Sequence, residues 1–395
     1  MKILAIETSC DETAISFLEA EGSVKDMPRF KVLAHLVSSQ IEIHRPFGGV
    51  VPNLAKREHI RNLPLLFAEL VTLANSSNSK FKIQNLKLDG EKSDAERLML
   101  GVDLIAVTVG PGLEPALWTG INFAQELAKE YNKPLIGANH LEGHLFSFLL
   151  QEKTENSKVK SKKLKVNFPA IGLIVSGGHT ILVVLEKLNK WKKIGETKDD
   201  AVGEAFDKVA RILDLPYPGG PEIEKLAKKG DPNAINFPRP MIHHKNYDFS
   251  FSGLKTSVLY YVRDHVKPLR GNVAGHFPRK SASDPRWSAA RRDIAASFQK
   301  AAIDVLVKKT FRAAEEYGAR SVILAGGVAA NTALRTALKK STDEAGIKFF
   351  CPEFEFNTDN ASMIGAASYI QYLGLKKKAG KILGYPIEAN GSLNL

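Results

Sequence analysis

His140 and His144 stand four residues apart in "NHLEGHLFSF" (139–148), in a chain of 395 residues that holds only 10 histidines. The preceding "KPLIGA" reads as a short buried strand, and Asn139 is placed to cap a helix that begins at His140. In such a helix both imidazoles face the same side, one turn apart. Two rings so placed can share a divalent metal ion. They can also be partly buried helix histidines, each with its own hydrogen bond. The pattern lacks the adjacent Glu of H-E-x-x-H, so it offers no positioned base for peptide hydrolysis. With two cysteines only, Cys10 and Cys351, the composition argues against a disulfide framework and against a thiolate-based zinc site.

The elements that must position these histidines alternate between strand and helix, which is an α/β pattern. "KILAIETSCDETAISFLE" (2–19) reads as strand, polar turn, strand, and "AIGLIVSGGHTILVVLE" (170–186) repeats that grammar. Each hairpin heads one half of the chain, as expected of two similar lobes. "DLIAVTVGPGLEPALWTGINFAQELA" (103–128) and "SVILAGGVAANTALRTALKK" (321–340) each read as strand, glycine turn, helix. Their glycines permit close approach of a ligand or of another backbone, and the helix N-termini offer donors to an anion. Neither fits a P-loop or a dinucleotide fingerprint. Three stretches rich in Ser, Asn, Lys, Gly and Pro, 75–98, 151–168 and 264–290, read as surface insertions.

Length favours two domains. No apolar run approaches the roughly 18 residues that span a bilayer, and acids follow the first apolar stretch at once, unlike a signal or transit peptide. A cytoplasmic protein without a membrane partner is expected. The net charge of +12 is concentrated in "KVKSKKLKVNF" (158–168), in 263–293 and in "KKKAGK" (376–381), which suits a phosphate-rich partner or a solvated surface.

Two hairpins with small polar turns and a strand–Gly-Gly–helix element resemble the actin, sugar-kinase and chaperone-ATPase superfold, with nucleotide and metal in the cleft between its lobes. "IETSCDETA", "SSQIEIHRPFGGVVPNLAKREH", "NHLEGH", "LIVSGGHT", "GEAFDKVARILDLPYPGGP", "FSFSGLKT", "GGVAANTALR" and "TDNASMIG" together resemble the TsaD-type tRNA threonylcarbamoyltransferases, from about residue 1 to 372. That resemblance implies an N-terminal lobe over 1–150, a basic insertion at 151–168, a C-terminal lobe over 169–357 holding the insertion 264–290, a helix near 358–375 at the lobe interface, and a tail at 376–395. It implies Asp359 as third metal ligand beside His140 and His144, holding iron, with zinc compatible. It implies substrate contacts at Ile174, Val175, Ser176, Gly177, Gly178, Asp207, Gly220, Glu224 and Asn331. Ile174 and His179 stand where archaeal and eukaryotic relatives carry Tyr and Asn, which favours the bacterial and mitochondrial branch.

The implied reaction moves threonylcarbamoyl from threonylcarbamoyl-adenylate to the exocyclic amine of adenosine 37 in tRNAs reading codons that begin with A. The bacterial pattern adds a TsaB-type paralogue and a TsaE-type ATPase as partners. Such a transfer needs Lewis-acid polarisation and positioning more than a protein nucleophile. Asp11 and Glu12, in the first hairpin turn, are candidates for proton handling. His44, Arg57 and His59 could meet an RNA phosphate or the threonyl carboxylate, or serve structure. An ATPase or small-molecule kinase of the same superfold, or a metalloprotease, are the alternatives. Neither has a use for the whole set of motifs.

Overall fold

Pleating divides the apolar run of β1 (Lys2–Glu7) between two cores, with Ile3 and Ala5 on one face and Leu4 and Ile6 on the other. In the computed structural model, which describes residues 1–75, 93–150, 165–266, 285–375 and 385–395, the same division recurs in every central strand. β2 (Glu12–Glu21) pairs antiparallel with β1, opposing Ile6 to Ile15, and β3 (Arg29–Ser39) pairs antiparallel with β2. β4 (Leu104–Gly110) and β5 (Leu135–Asn139) continue the sheet in parallel, giving the order β3-β2-β1-β4-β5.

The second sheet has the same plan. β6 (Ala170–Val175) pairs antiparallel with β7 (Thr180–Lys187), which pairs antiparallel with β8 (Lys190–Glu196). β9 (Ser321–Ala325) and β10 (Lys348–Phe350) extend it in parallel, in the order β10-β9-β6-β7-β8. Position by position, order and polarity match those of the first sheet. The molecule is therefore an α/β protein of two similar lobes, as the repeated hairpin grammar predicts.

α1 (Ile41–His44) follows β3 beside the first hairpin turn, and on the outer face of the first sheet lie α2 (Pro52–Asn75), α3 (Asp94–Leu100) and α4 (Glu114–Glu130), which contribute Leu66, Leu98 and Ile121 to a common core. α5 (His140–Phe146) follows β5. The outer face of the second sheet is covered by α6 (Val202–Ile212), α7 (Gly219–Ala227), α8 (Ser252–Tyr261), α9 (Pro285–Glu316) and α10 (Thr332–Glu344). The inner faces of both sheets share a third core. Ala5 and Ala106 meet it from one lobe, Ile174 and Ile323 from the other, and Leu141 and Leu145 of α5 lie within it. α11 (Ala361–Gly374) completes this core. Its small residues allow the approach: a Cβ at Gly365 would stand 2.4 Å from the Leu18 side chain. The helix that carries both histidines is thus clamped between the lobes.

Part of the stretch read as a loop at 75–98 is helical. Ser93 and Glu96 form a reciprocal capping box that starts α3, a signal visible as S-x-x-E. At the other insertion, α9 already begins at Pro285, before the expected limit of 290. Most of the basic insertion 151–168, residues 267–284 and the "KKKAGK" run lie outside the described residues. In the tail, Asn390 N donates to Val109 O at 2.8 Å and Tyr385 bridges to Gly137, so 385–395 lies along the first lobe.

Candidate metal centre and substrate cleft

Asn139 caps α5 as its position predicts, with Oδ1 accepting from Leu141 N at 2.8 Å and Glu142 N at 3.3 Å. The cap fixes the first turn, so His140 and His144 project together, with ring centroids 4.6 Å apart. Asp359 arrives from the turn before α11, where Asn360 caps that helix by accepting from Met363 N at 2.9 Å. Asp359 Oδ1 lies 3.5 Å from His140 Nε2 and 3.1 Å from His144 Nε2. One ligand atom from each residue falls within 4.8 Å of the others.

These atoms fit a cation. Both nitrogens of the buried His144 lack a hydrogen-bond partner, so the 3.1 Å approach of Asp359 is close without being directed as a hydrogen bond. A buried imidazole left in that state is costly unless something accepts its lone pair. Two imidazoles and a carboxylate suit a first-row divalent ion with open positions. Without an ion, protons take up part of that role. Burial penalises the imidazolium of His140, but Asp359 and Glu7 outweigh it and raise its pKa to about 9. Burial also works against ionised Asp359, yet His140 and His144 hold its pKa at about 2. Burial, then the charge on His140, lowers that of His144.

Glu7, which the sequence reading missed, stands behind His140. Its Oε2 lies 3.2 Å from His140 Nδ1 and accepts from Thr108 Oγ1 at 2.6 Å, while Oε1 accepts from Ser9 N. Ser9 Oγ also reaches His140 Nδ1, at 3.1 Å. A carboxylate on Nδ1 orients the ring with Nε2 toward the ion position. The available signal was a glutamate closing an otherwise apolar strand, where an unpaired charge would be penalised.

The second hairpin forms the adjoining wall. Its turn is closed by Ser176, whose Oγ accepts from His179 N at 3.1 Å. The Ile174 and Val175 side chains are buried in two different cores, and Ile174 is paired with a strand on either side, so neither side chain faces the turn. A Cβ added at Gly177, Gly178, Gly220 or Gly327 would meet nothing within 4 Å, so these glycines face open space. Other glycines answer to backbone. A Cβ at Gly203 would meet Ser176 O at 2.5 Å, one at Gly326 Val175 O at 2.3 Å, and one at Gly112 Ser9 O at 2.5 Å. Gly112 and Gly110, where a Cβ would stand 2.0 Å from Asn390 O, are thus packing glycines, whereas Gly327 faces open space. His179 feels the charges of His140, His144 and Asp359, and burial first, then the two histidines, lowers its pKa to about 4.

Asp207 Oδ1 accepts from Gly219 N at 2.7 Å, which ties α6 to the start of α7 beside Gly220. Glu224 Oε1 accepts from Thr332 N at 3.2 Å at the head of α10. Asn331 caps α10 through Leu334 N at 3.0 Å and donates to Gln299 at 2.8 Å. Asp11 is buried in the first hairpin turn. Burial, then Asp11, raises the Glu12 pKa well above the carboxylate range. His44 and His59 are fully buried and structural: His59 bonds Thr13 Oγ1 at 2.8 Å and Cys10 O at 3.0 Å, and His44 bonds Gln40 at 3.1 Å. No phosphate can reach them.

Fold and site together define a two-lobed α/β protein that sets a His-His-Asp group able to hold a metal ion beside a hairpin opened by glycines. The family model TsaD, tRNA N6-adenosine threonylcarbamoyltransferase, matches residues 31–83 and 94–366. The chain is 45% identical over 372 residues to the tRNA N6-adenosine threonylcarbamoyltransferase of Thermosipho africanus, covering 94% of each. It is 42% identical over 373 residues to that of Bacillus subtilis, covering 94% of this chain and 91% of the other. The chain belongs to the TsaD family of tRNA N6-adenosine threonylcarbamoyltransferases.

Proposed function

We propose that this enzyme transfers the threonylcarbamoyl group of threonylcarbamoyl-adenylate to the exocyclic amine of adenosine 37 in tRNAs that read codons beginning with A. The observation that carries this reading is the adjacency of His140, His144 and Asp359 to the open turn at Ser176, Gly177 and Gly178, with His179 in electrostatic reach of all three ligands. In the step, the adenine nitrogen bonds to the carbamoyl carbon, the bond from that carbon to the phosphate oxygen breaks, AMP leaves, and the amine gives up a proton.

The turn amides at Gly177 and Gly178 have room to approach the acyl-phosphate anion. We assign the ribose and base of the adenylate to the wall made by Asp207, Gly220, Glu224 and Asn331. A divalent ion bound by the three ligands, iron by family expectation and zinc by chemical tolerance, would supply Lewis-acid polarisation. Asp11 and Glu12 handle protons in this scheme, since burial and the neighbouring Asp11 carboxylate favour the protonated form of Glu12 in the first hairpin turn. We place the enzyme in the cytoplasm with a TsaB-type paralogue and a TsaE-type ATPase. No helix among the described residues is long and apolar enough to cross a membrane.

The test is transfer by the purified protein from threonylcarbamoyl-adenylate to tRNA, with and without those helpers. Modified adenosine at position 37 is the expected product. Its absence under both conditions would overturn the reading.

A further inference from the structure

A cavity of about 760 Å³ opens where the lobes meet beside Asp207 and Gly219, and it takes in none of the three metal ligands. Arg45 and Phe47 line it from the first lobe, Arg211 and Tyr217 from the second, and Trp287 and Arg291 from the start of α9. Asp207 and Asp214 also border it, the former already engaged by Gly219 N.

Two of the three guanidiniums, those of Arg211 and Arg291, have no carboxylate partner among the described residues, although Arg291 lies 5.7 Å from the centre of the Trp287 ring. Arg211 Nη2 donates to Gly48 O, and Arg45 Nε donates to Tyr217 O at 3.0 Å. Both bonds cross between the lobes and end on neutral carbonyls. Arg45 also pairs with Glu42 at 2.7 Å, at an exposed site. Arg211 and Arg291 form no ion pair among the described residues. Arg291 Nη2 reaches Asp214 O at 3.5 Å, while its buried Nε has no partner. Phosphate oxygens would give these forks charge-assisted bonds in place of carbonyl contacts. Phe47, 63% exposed, presents an apolar ring at the same cavity. Guanidiniums beside an exposed aromatic ring are what a single-stranded nucleotide needs, the first for its phosphate and the second for its base.

We propose that this cavity receives a nucleotide next to the adenosine being modified, with Arg211 and Arg291 on the flanking phosphates and its base against Phe47. The inference rests on the function proposed above. The nucleotide beside the adenosine is one backbone step away, and this cavity is bordered by Asp207, assigned above to the adenylate wall. It also separates two neighbouring arginines. Arg291 borders the cavity, whereas Arg292 folds back onto its own helix, with Nε on Ser288 O at 3.2 Å.

The experiment measures binding of an anticodon stem-loop RNA, adenosine at position 37, to the full chain and to R211Q, R291Q, F47A and R292Q across a salt series. R211Q and R291Q should each weaken binding at least about fivefold and lower the log–log salt slope by about 0.7, as for one lost single-strand phosphate contact. F47A should weaken binding to the intact loop but not to a loop lacking the base at position 36 or 38. R292Q should bind as the parent does. Far-ultraviolet circular dichroism and thermal midpoints identify any variant that fails to fold, and R211M and R291M, which keep the apolar stem and remove the charge, then serve as replacements. Folded variants with parental affinity and slope overturn the cavity assignment while leaving the transferase reading intact. So does loss of adenylate affinity in place of RNA affinity. A parent protein that neither binds the loop nor transfers defeats the underlying reading instead.

Discussion

Glu7 Oε2 lies 3.2 Å from His140 Nδ1, which places a fully buried carboxylate of the first strand directly behind one imidazole of the metal group. Neither residue could be placed correctly without the other: the carboxylate needs a cationic or hydrogen-bonding partner when buried, and the ring needs its Nε2 left free.

Replacing Glu7 by Gln should therefore keep the fold and lower metal affinity by about 10-fold to 100-fold. Competition with a calibrated chelator, using zinc as probe, measures it without reference to turnover. Unchanged affinity in a folded Glu7→Gln protein would remove Glu7 from the metal group.

The three ligands should reveal themselves through stability as well. A ligand that binds only the folded state at about 100 times its Kd adds about 2.7 kcal/mol. Metal should raise the thermal midpoint of the parent, and chelator should reverse it. His144→Ala and Asp359→Ala should lose that response, and both should lose transfer. Full metal occupancy in the His140→Ala, His144→Ala double variant would sink the assignment.

Two glycines one contact apart should behave oppositely. Gly177→Val adds a side chain that meets open space in the free protein, so stability should hold while binding of an adenylate analogue collapses. Gly203→Ala drives a Cβ to 2.5 Å from Ser176 O and should cost about 1 to 3 kcal/mol of stability. Equal adenylate binding by Gly177→Val and the parent, in isothermal titration, would show that the turn is not the phosphate site.

Lys309 is fully buried, its Nζ donating to Asn246 O at 3.1 Å, and burial, then Arg312, lowers its pKa to about 8. Below that value both folded and unfolded chains carry the charge, and the folded one bears the full desolvation cost. Between about 8 and the ordinary lysine value of 10.5 only the unfolded chain holds the proton, so this residue's contribution to stability rises with pH. Lys309→Met leaves Asn246 O paired with Arg312. Its stability advantage over the parent should be largest at neutral pH and shrink toward pH 10, as read by urea unfolding at several pH values. An advantage that stays constant contradicts the depressed pKa.

Local spacing determined a good part of this protein. The helix at His140, its Asn139 cap, the two hairpins and the two strand–turn–helix elements follow from residue period and capping chemistry, which act within a few residues. Those signals also gave the doubled lobe, because each half repeats the same order of strands. The motifs of the family named Asp359, but the turn before α11 is what brings it to the histidines. Glu7 reaches His140 from 133 residues away, which no local pattern encodes. The glycines make the same point. Gly112 and Gly177 look alike in a sequence, yet one is filled by the backbone of Ser9 and the other faces the cleft. Only the packing of distant segments decides whether a missing side chain leaves room for a neighbour or for a substrate. The same holds for His44 and His59, whose spacing left an RNA phosphate, the threonyl carboxylate and a structural role all open. The fold buries them, because the segment that carries them closes over the first hairpin and its imidazoles satisfy polar groups that would otherwise be orphaned there.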